Sequence, residues 1–199
     1  MEHLNTSLFL WINAAAYPGF FMFYGAEAFA EFAIFLVPVL ISAGWIWGDE
    51  RIRRTVLIAA IAAFGGLIVN QVIGLMWVHP RPFMIGLGHT FIRHAPDGSF
   101  PSDHLTVWWS VALSLAFSTD RLRRFGTVMS VAGLPIAWAR IYLGVHFPFD
   151  MVGALGVSAL CAWAAHRYAP VYLDVSYRTV LGIRRVLLGR FISLGWLPD

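Results

Sequence analysis

The sequence predicts an all-α, polytopic membrane helix bundle. It has five transmembrane helices, a short N-terminal interfacial or re-entrant helix, and a basic amphipathic C-terminal helix. Three observations point there. Of 199 residues, 59% are hydrophobic and 13% are charged, against ~25% charged in an average soluble domain. The apolar residues gather into five long runs. The 14 basic residues are all arginine and sit mostly between those runs. Such a composition excludes intrinsic disorder, which needs low hydrophobicity and high charge, and leaves too few polar residues to cover a soluble globule. A net charge of +3 would suggest nucleic acid in a soluble chain. Here arginines at a membrane surface account for it, and no nucleic-acid partner is expected.

Residues 4–15 are apolar but fall short of the ~20 residues that a span needs. They also lack the basic start of a signal peptide, since Glu2 precedes them and no basic residue other than His occurs before Arg51. An interfacial or re-entrant helix fits. The five expected spans are residues 20–47, 55–78, 104–118, 125–143 and 151–169, the third being short. Residues 48–54 and 120–124 are charged connections, residues 79–103 form a long loop with four prolines, and residues 144–150 a tight turn. In residues 175–197, arginines interleave with Leu, Ile, Val and Phe, the pattern of a basic amphipathic helix lying on anionic lipid. No linker or composition shift divides the chain, so residues 1–199 read as one domain. The single cysteine, Cys161, excludes an intrachain disulfide.

Eleven arginines fall on one side of the expected spans and three, Arg81, Arg93 and Arg140, on the other. The crowded side is expected to be cytoplasmic, with the N-terminus outside and the C-terminus inside.

Three polar blocks then land together on the outer face: Arg81-Pro82; Pro101-Ser102-Asp103-His104; and Arg140 followed after five residues by His146 and after three more by Asp150. Charge near a membrane is costly and tends to mark function. Two arginines offer forked, permanent cations suited to phosphate oxygens. Ser102 stands where a helix N-cap would, so backbone N–H groups can also face an anion. Two histidines suit one nucleophile and one acid-base group. Asp150 can accept from one ring nitrogen of His146 and leave the other as a lone-pair donor.

These blocks resemble the signature of the type 2 phosphatidic acid phosphatase superfamily: Lys-x6-Arg-Pro, Pro-Ser-Gly-His and Ser-Arg-x5-His-x3-Asp. The likeness covers about residues 55–169. The wording SFPSDH and ARIYLGVHFPFD is most similar to bacterial undecaprenyl-diphosphatases of the bacitracin-resistance type. The resemblance implies a multi-pass enzyme of the bacterial cytoplasmic membrane that hydrolyses a polyprenyl diphosphate lipid, with no cofactor or metal, to recycle the cell-wall lipid carrier. It implies that His146 attacks phosphorus, Asp150 holds its tautomer, and His104 serves the leaving group and then water. Arg81, Pro82, Arg140, Ser102 and Asp103 make up the phosphate-binding set. The family's lysine falls at Gly74, and this chain contains no lysine. Asp103 stands for the signature glycine and Ala139 for its serine. His79 or Arg93 is the candidate for the missing cation. Glu27 and Glu31 share one face of the first span, and Glu31 is a candidate for positioning an arginine. Other lipid phosphatases, acting on phosphatidylglycerol phosphate or lipid A, or a lipid phosphotransferase, share these residues. An anion transporter is the reading outside the enzymes, although its polar residues would gather near mid-bilayer.

Overall fold

The computed structural model describes residues 2–118 and 120–197, and every regular element among them is helical. The N-terminal segment forms α1 (Glu2–Ile12), which buries Asn5 and Phe9 and sets the Phe9 ring 5.3 Å from that of Phe147. The next 28 residues make one helical rod, Phe20–Trp47. It consists of α2 (Phe20–Glu27), a π turn (Ala28–Phe32), a 3-10 turn (Ala33–Phe35) and α3 (Leu36–Trp47). Phe20, Phe21, Phe29, Phe32 and Phe35 of this rod are exposed, the outward apolar surface that lipid rather than water would solvate.

α3 stops at Gly48, where a Cβ would collide with the Gly44 carbonyl. Asp49 then caps α4 (Glu50–Met76) by accepting from the Ile52 N–H at 2.8 Å. The centre of the bundle is α5 (Asp103–Ala116), packed against α4, α6 (Asp120–Tyr142) and α7 (Pro148–Ser193). Nine of its 14 residues are buried, and its indoles of Trp108 and Trp109 donate to the Met129 and Ser130 carbonyls of α6 at 2.8 and 3.0 Å.

Among the described residues, three helical stretches are long and apolar enough to cross a membrane: Phe20–Trp47, Glu50–Met76 and Pro148–Ser193. The other two expected spans fall outside that measure for physical reasons. α5 reaches only about 21 Å at 1.5 Å per residue, and the apolar part of α6 itself carries Pro135 and Arg140.

The C-terminal region departs from expectation. The fifth span and the amphipathic segment are one helix of 46 residues. Pro170 interrupts its ladder without ending it, because a proline removes a single N–H, and the Tyr172 hydroxyl donates to the nearby Ala165 carbonyl at 2.7 Å. Below this point α7 is tied to the first half of the chain. Arg54 pairs with Asp174 at 2.6 Å, and the rings of Trp45 and Tyr177 meet edge-on at 5.8 Å.

Candidate active site

The polar cluster forms at the end of the bundle where α4 and α6 finish and α5 and α7 begin. The turn from α6 to α7 places its key side chain. Gly144 has φ +84°, and a Cβ there would strike the His89 carbonyl, so the chain reverses tightly and delivers His146 inward. Pro148 opens α7 at a position where its missing N–H is harmless. The Asp150 carboxylate folds back on the turn. Its Oδ2 accepts from the Phe147 N–H at 2.8 Å and lies 3.1 Å from His146 Nδ1, and its Oδ1 accepts from the Ser99 hydroxyl at 3.4 Å. His146 and Asp150 are each 1% exposed.

This arrangement sets the state of His146. Burial, then the fields of Arg140 and Arg81, hold its imidazole well below the usual histidine range, so the ring is neutral. With Nδ1–H donating to Asp150, Nε2 carries the lone pair. Arg81 Nη1 stands 3.0 Å from that nitrogen.

Arg81 is 5% exposed and held on every nitrogen. Nε donates to Asp97 at 2.8 Å, Nη1 to the Val145 carbonyl at 3.0 Å, and Nη2 to the Gly98 carbonyl at 3.1 Å. Pro82 is buried behind it at the head of a 3-10 turn, Pro82–Ile85. Arg140, in the last turn of α6, is 2% exposed. Its Nη1 donates to the Ala30 carbonyl at 3.0 Å, in the π turn, where helix hydrogen bonding is irregular. Its Nε and Nη2 have no partner, and neither has the Ser102 hydroxyl at the N-cap of α5. Buried donors left unpaired are rare, and here a cationic pair of them lies with a serine beside a helix N-terminus. His104, the second residue of α5, is half-buried within the fields of Arg140, His94 and Arg81. The Ser102 N–H donates to the Asp150 carbonyl at 3.4 Å, locking the starts of α5 and α7 together.

The remaining candidates take other places. Asp103 is exposed and accepts from Asn70 Nδ2 at 2.7 Å. Glu31 lies in the π turn, and its charge, with that of Asp103, acts on Arg140. His79 and Arg93 do not stand where the family's lysine would. The space beside Gly74 is open, and the cavity there, about 220 Å³, is bounded by Asn70, Gln71, Gly74, Arg81, Asp97 and Asp103. His79 is drawn to the far side of Ser99, at 2.9 Å from its hydroxyl, by Glu2 at 3.6 Å and the Phe147 ring. Arg93 is exposed on the loop.

Three participants had no signal in the spacing. Asp97 pairs Arg81 and lies 3.8 Å from His94. His94 stands edge-on to His146 at 5.9 Å, and burial followed by the field of Arg81 lowers its own pKa. Ser99 braces Asp150. All three belong to a Pro- and Gly-rich loop whose path only the folded chain reveals. Among the described residues, no group of three or more His, Cys, Asp and Glu side chains is placed to hold a metal ion.

Residues 54–172 match the family model described as PAP2 superfamily. Over the whole of both chains, 199 residues, the sequence is 36% identical to YbjG of Escherichia coli (strain K12), which carries the provisional name undecaprenyl-diphosphatase. It is 35% identical over 139 residues, 70% of each chain, to the undecaprenyl-diphosphatase BcrC of Bacillus subtilis (strain 168). The crystal structure of Aquifex aeolicus LpxE superposes with a TM-score of 0.63 at 24% identity, covering 83% of this chain and 96% of that one, a likeness of fold.

Proposed function

The chain belongs to the PAP2 superfamily, and on that premise we propose that it is a membrane phosphatase that hydrolyses undecaprenyl diphosphate to undecaprenyl phosphate and inorganic phosphate. The observation that carries this reading is the buried, neutral His146, oriented by Asp150 at 3.1 Å and flanked by two arginines. A neutral imidazole with a fixed tautomer is a nucleophile, and guanidinium groups stabilise charge on a transferring phosphoryl group. His146 Nε2 attacks the terminal phosphorus, and the bond to the bridging oxygen breaks. The negative charge of the incoming diphosphate offsets the fields of Arg140, His94 and Arg81 and so lets His104 hold a proton. The lipid monophosphate leaves with that proton, and Asp150 Oδ2 holds the Nδ1–H as the ring becomes cationic. His104 then takes a proton from the water that attacks the phosphohistidine. The N–P bond breaks, and phosphate departs with His146 restored. Arg81, Arg140 and Ser102 hold the equatorial oxygens throughout.

The five-span topology is part of this proposal. It has the N-terminus and the histidine corner outside the cytoplasmic membrane and the arginine-rich loops within the cell. The 11-to-3 arginine division supports it.

The deciding experiment measures phosphate release by the purified protein from undecaprenyl diphosphate and, in parallel, from phosphatidylglycerol phosphate and lipid A. Preference for the diphosphate, abolished in His146→Ala, is the expected result. Faster release from either of the other two lipids would replace the substrate, and undiminished turnover by His146→Ala would remove the mechanism.

A further inference from the structure

At the opposite end of the bundle, where α3 gives way to α4, three arginines converge on a cavity of about 450 Å³: Arg53 of α4 with Arg184 and Arg185 of α7, beside Glu50 and Tyr177. Arg53 is 4% exposed, yet its Nε and Nη2 have no hydrogen-bond partner. A guanidinium buried without an anion is costly. Among the described residues, the nearby carboxylates are committed elsewhere: Glu50 to Arg54 at 2.8 Å, and Asp174 to the same Arg54 at 2.6 Å. Arg53 therefore brings open, buried guanidinium donors to the cavity. Arg184 is fixed in the wall by donating from Nη2 to the Ile46 carbonyl of α3 at 3.3 Å.

Arg184 also borders a second space, a trough of about 420 Å³ walled by Ile41, Trp45, Val56, Leu57, Ala60 and Leu187. An apolar trough opening beside a set of guanidinium donors matches an amphiphile with an anionic head. A free anion has no use for the trough, and a zwitterionic head brings its own cation to the arginines. We propose that this is a binding site for an anionic phospholipid, its phosphodiester on Arg53 and Arg185 and one acyl chain in the trough beside Arg184. The site is remote from the histidine corner, and its occupancy does not depend on the substrate assigned there. Basic pockets between helices at a cytoplasmic surface recognise lipid headgroups by the same physics.

The test uses the delipidated full chain in neutral detergent, titrated separately with phosphatidylglycerol, phosphatidylcholine and glycerol phosphate. Bound ligand is read by native mass spectrometry and the thermal midpoint is followed in parallel. One retained phosphatidylglycerol per chain and a raised midpoint are expected, with little response to the other two. Arg53→Gln should weaken retention about tenfold, the worth of one charge-assisted hydrogen bond. Ala60→Phe, which fills the trough and leaves the arginines intact, should weaken it comparably. Arg190→Gln, on the exposed part of α7, should leave it at the wild-type level. Equal retention by Arg53→Gln and wild type overturns the site. Equal weakening by Arg190→Gln reduces it to diffuse surface attraction, and glycerol phosphate binding as tightly as phosphatidylglycerol removes the lipid. Circular dichroism identifies any misfolded variant, and Arg53→Lys, which keeps the charge on a folded chain, then takes its place with partial retention expected and wild-type or absent retention against the proposal.

Discussion

His146 is held from three sides: Asp150 on Nδ1, Arg81 toward Nε2, and the edge of His94 beyond. Replacing it with alanine should abolish turnover, by about 10⁴-fold or more, and with it any acid-labile phosphoenzyme. An adduct still forming in that variant would place the nucleophile elsewhere. Arg140→Lys keeps the charge but puts every donor on one nitrogen, which cannot hold the Ala30 carbonyl and also reach the positions of Nε and Nη2. A loss on the order of 10²-fold in kcat is expected, and steady-state kinetics near wild type would show that charge alone suffices. The contribution of the two histidines to the pH response has a definite sign. His146 and His94 both have folded-state pKa values pushed down, so below about pH 6.5 the unfolded chain takes up protons that the folded chain refuses. Stability should be full above that value and decline as pH falls through the window beneath it. Between about pH 7.5 and 5.5 the thermal midpoint should fall further on acidification in the wild type than in His94→Gln; an equal or smaller fall in the wild type would contradict the shift of His94. At this scale the sequence was legible where a residue's partner lies a few positions away. The four-residue step from His146 to Asp150 is one helical turn, and it is read directly. The bond from Asp97 to Arg81 closes a loop of 16 residues with no periodicity to betray it.

The helices were legible as apolar runs, but their joints were not. The π turn at Ala28–Phe32 lies inside an unbroken apolar stretch, and nothing in the composition separates it from the α-helix on either side. The union of the fifth span with the amphipathic segment was not legible, and Pro170 between them is a tolerated interruption in the folded helix. α1 also does more than its length suggested. The Asn5 side chain accepts from the Phe149 N–H at 3.0 Å, capping α7 from a distant part of the chain. Asn13 accepts from the His89 N–H at 2.7 Å and donates to the His89 and Tyr142 carbonyls at 2.8 and 3.0 Å. The N-terminal segment is thus a clamp on the loops that shape the site. Asn5→Ala should cost about 1 kcal/mol, the usual worth of a helix cap, and lower kcat more than KM because the start of α7 carries Asp150. An unchanged thermal midpoint would mean that solvent replaces the cap.

Across the whole molecule, the arginine distribution and the three blocks defined one functional end and one basic end, and the folded chain keeps them at opposite ends of α4 and α7. Arg93→Cys, on the exposed loop, should react with an impermeant maleimide in intact cells carrying Cys161→Ala. Arg123→Cys, on the opposite connection, should react only after permeabilisation; the reverse pattern would turn the molecule over in the membrane. The 46-residue α7 joins the two ends and is fastened at both, beyond Pro170 by Arg54 to Asp174 and by Arg184 to the Ile46 carbonyl. Its first turn is gripped by Asn5, Ser99 and the folded-back carboxylate, which makes that end a pivot. From Pro148 to Pro170 the helix is about 33 Å long at 1.5 Å per residue. If it rocks by about 5° as the bilayer thins or thickens, the level of Pro170 swings through about 3 Å while Asp150, two residues from the pivot, moves by about 0.3 Å. That is inside the ~0.5 Å tolerance that preorganised catalysis demands. Rocking about that pivot would displace the ties of α7 to Arg54 and to the Ile46 carbonyl about ten times further than Asp150, so a change in membrane thickness would be felt at the basic end before the histidine corner.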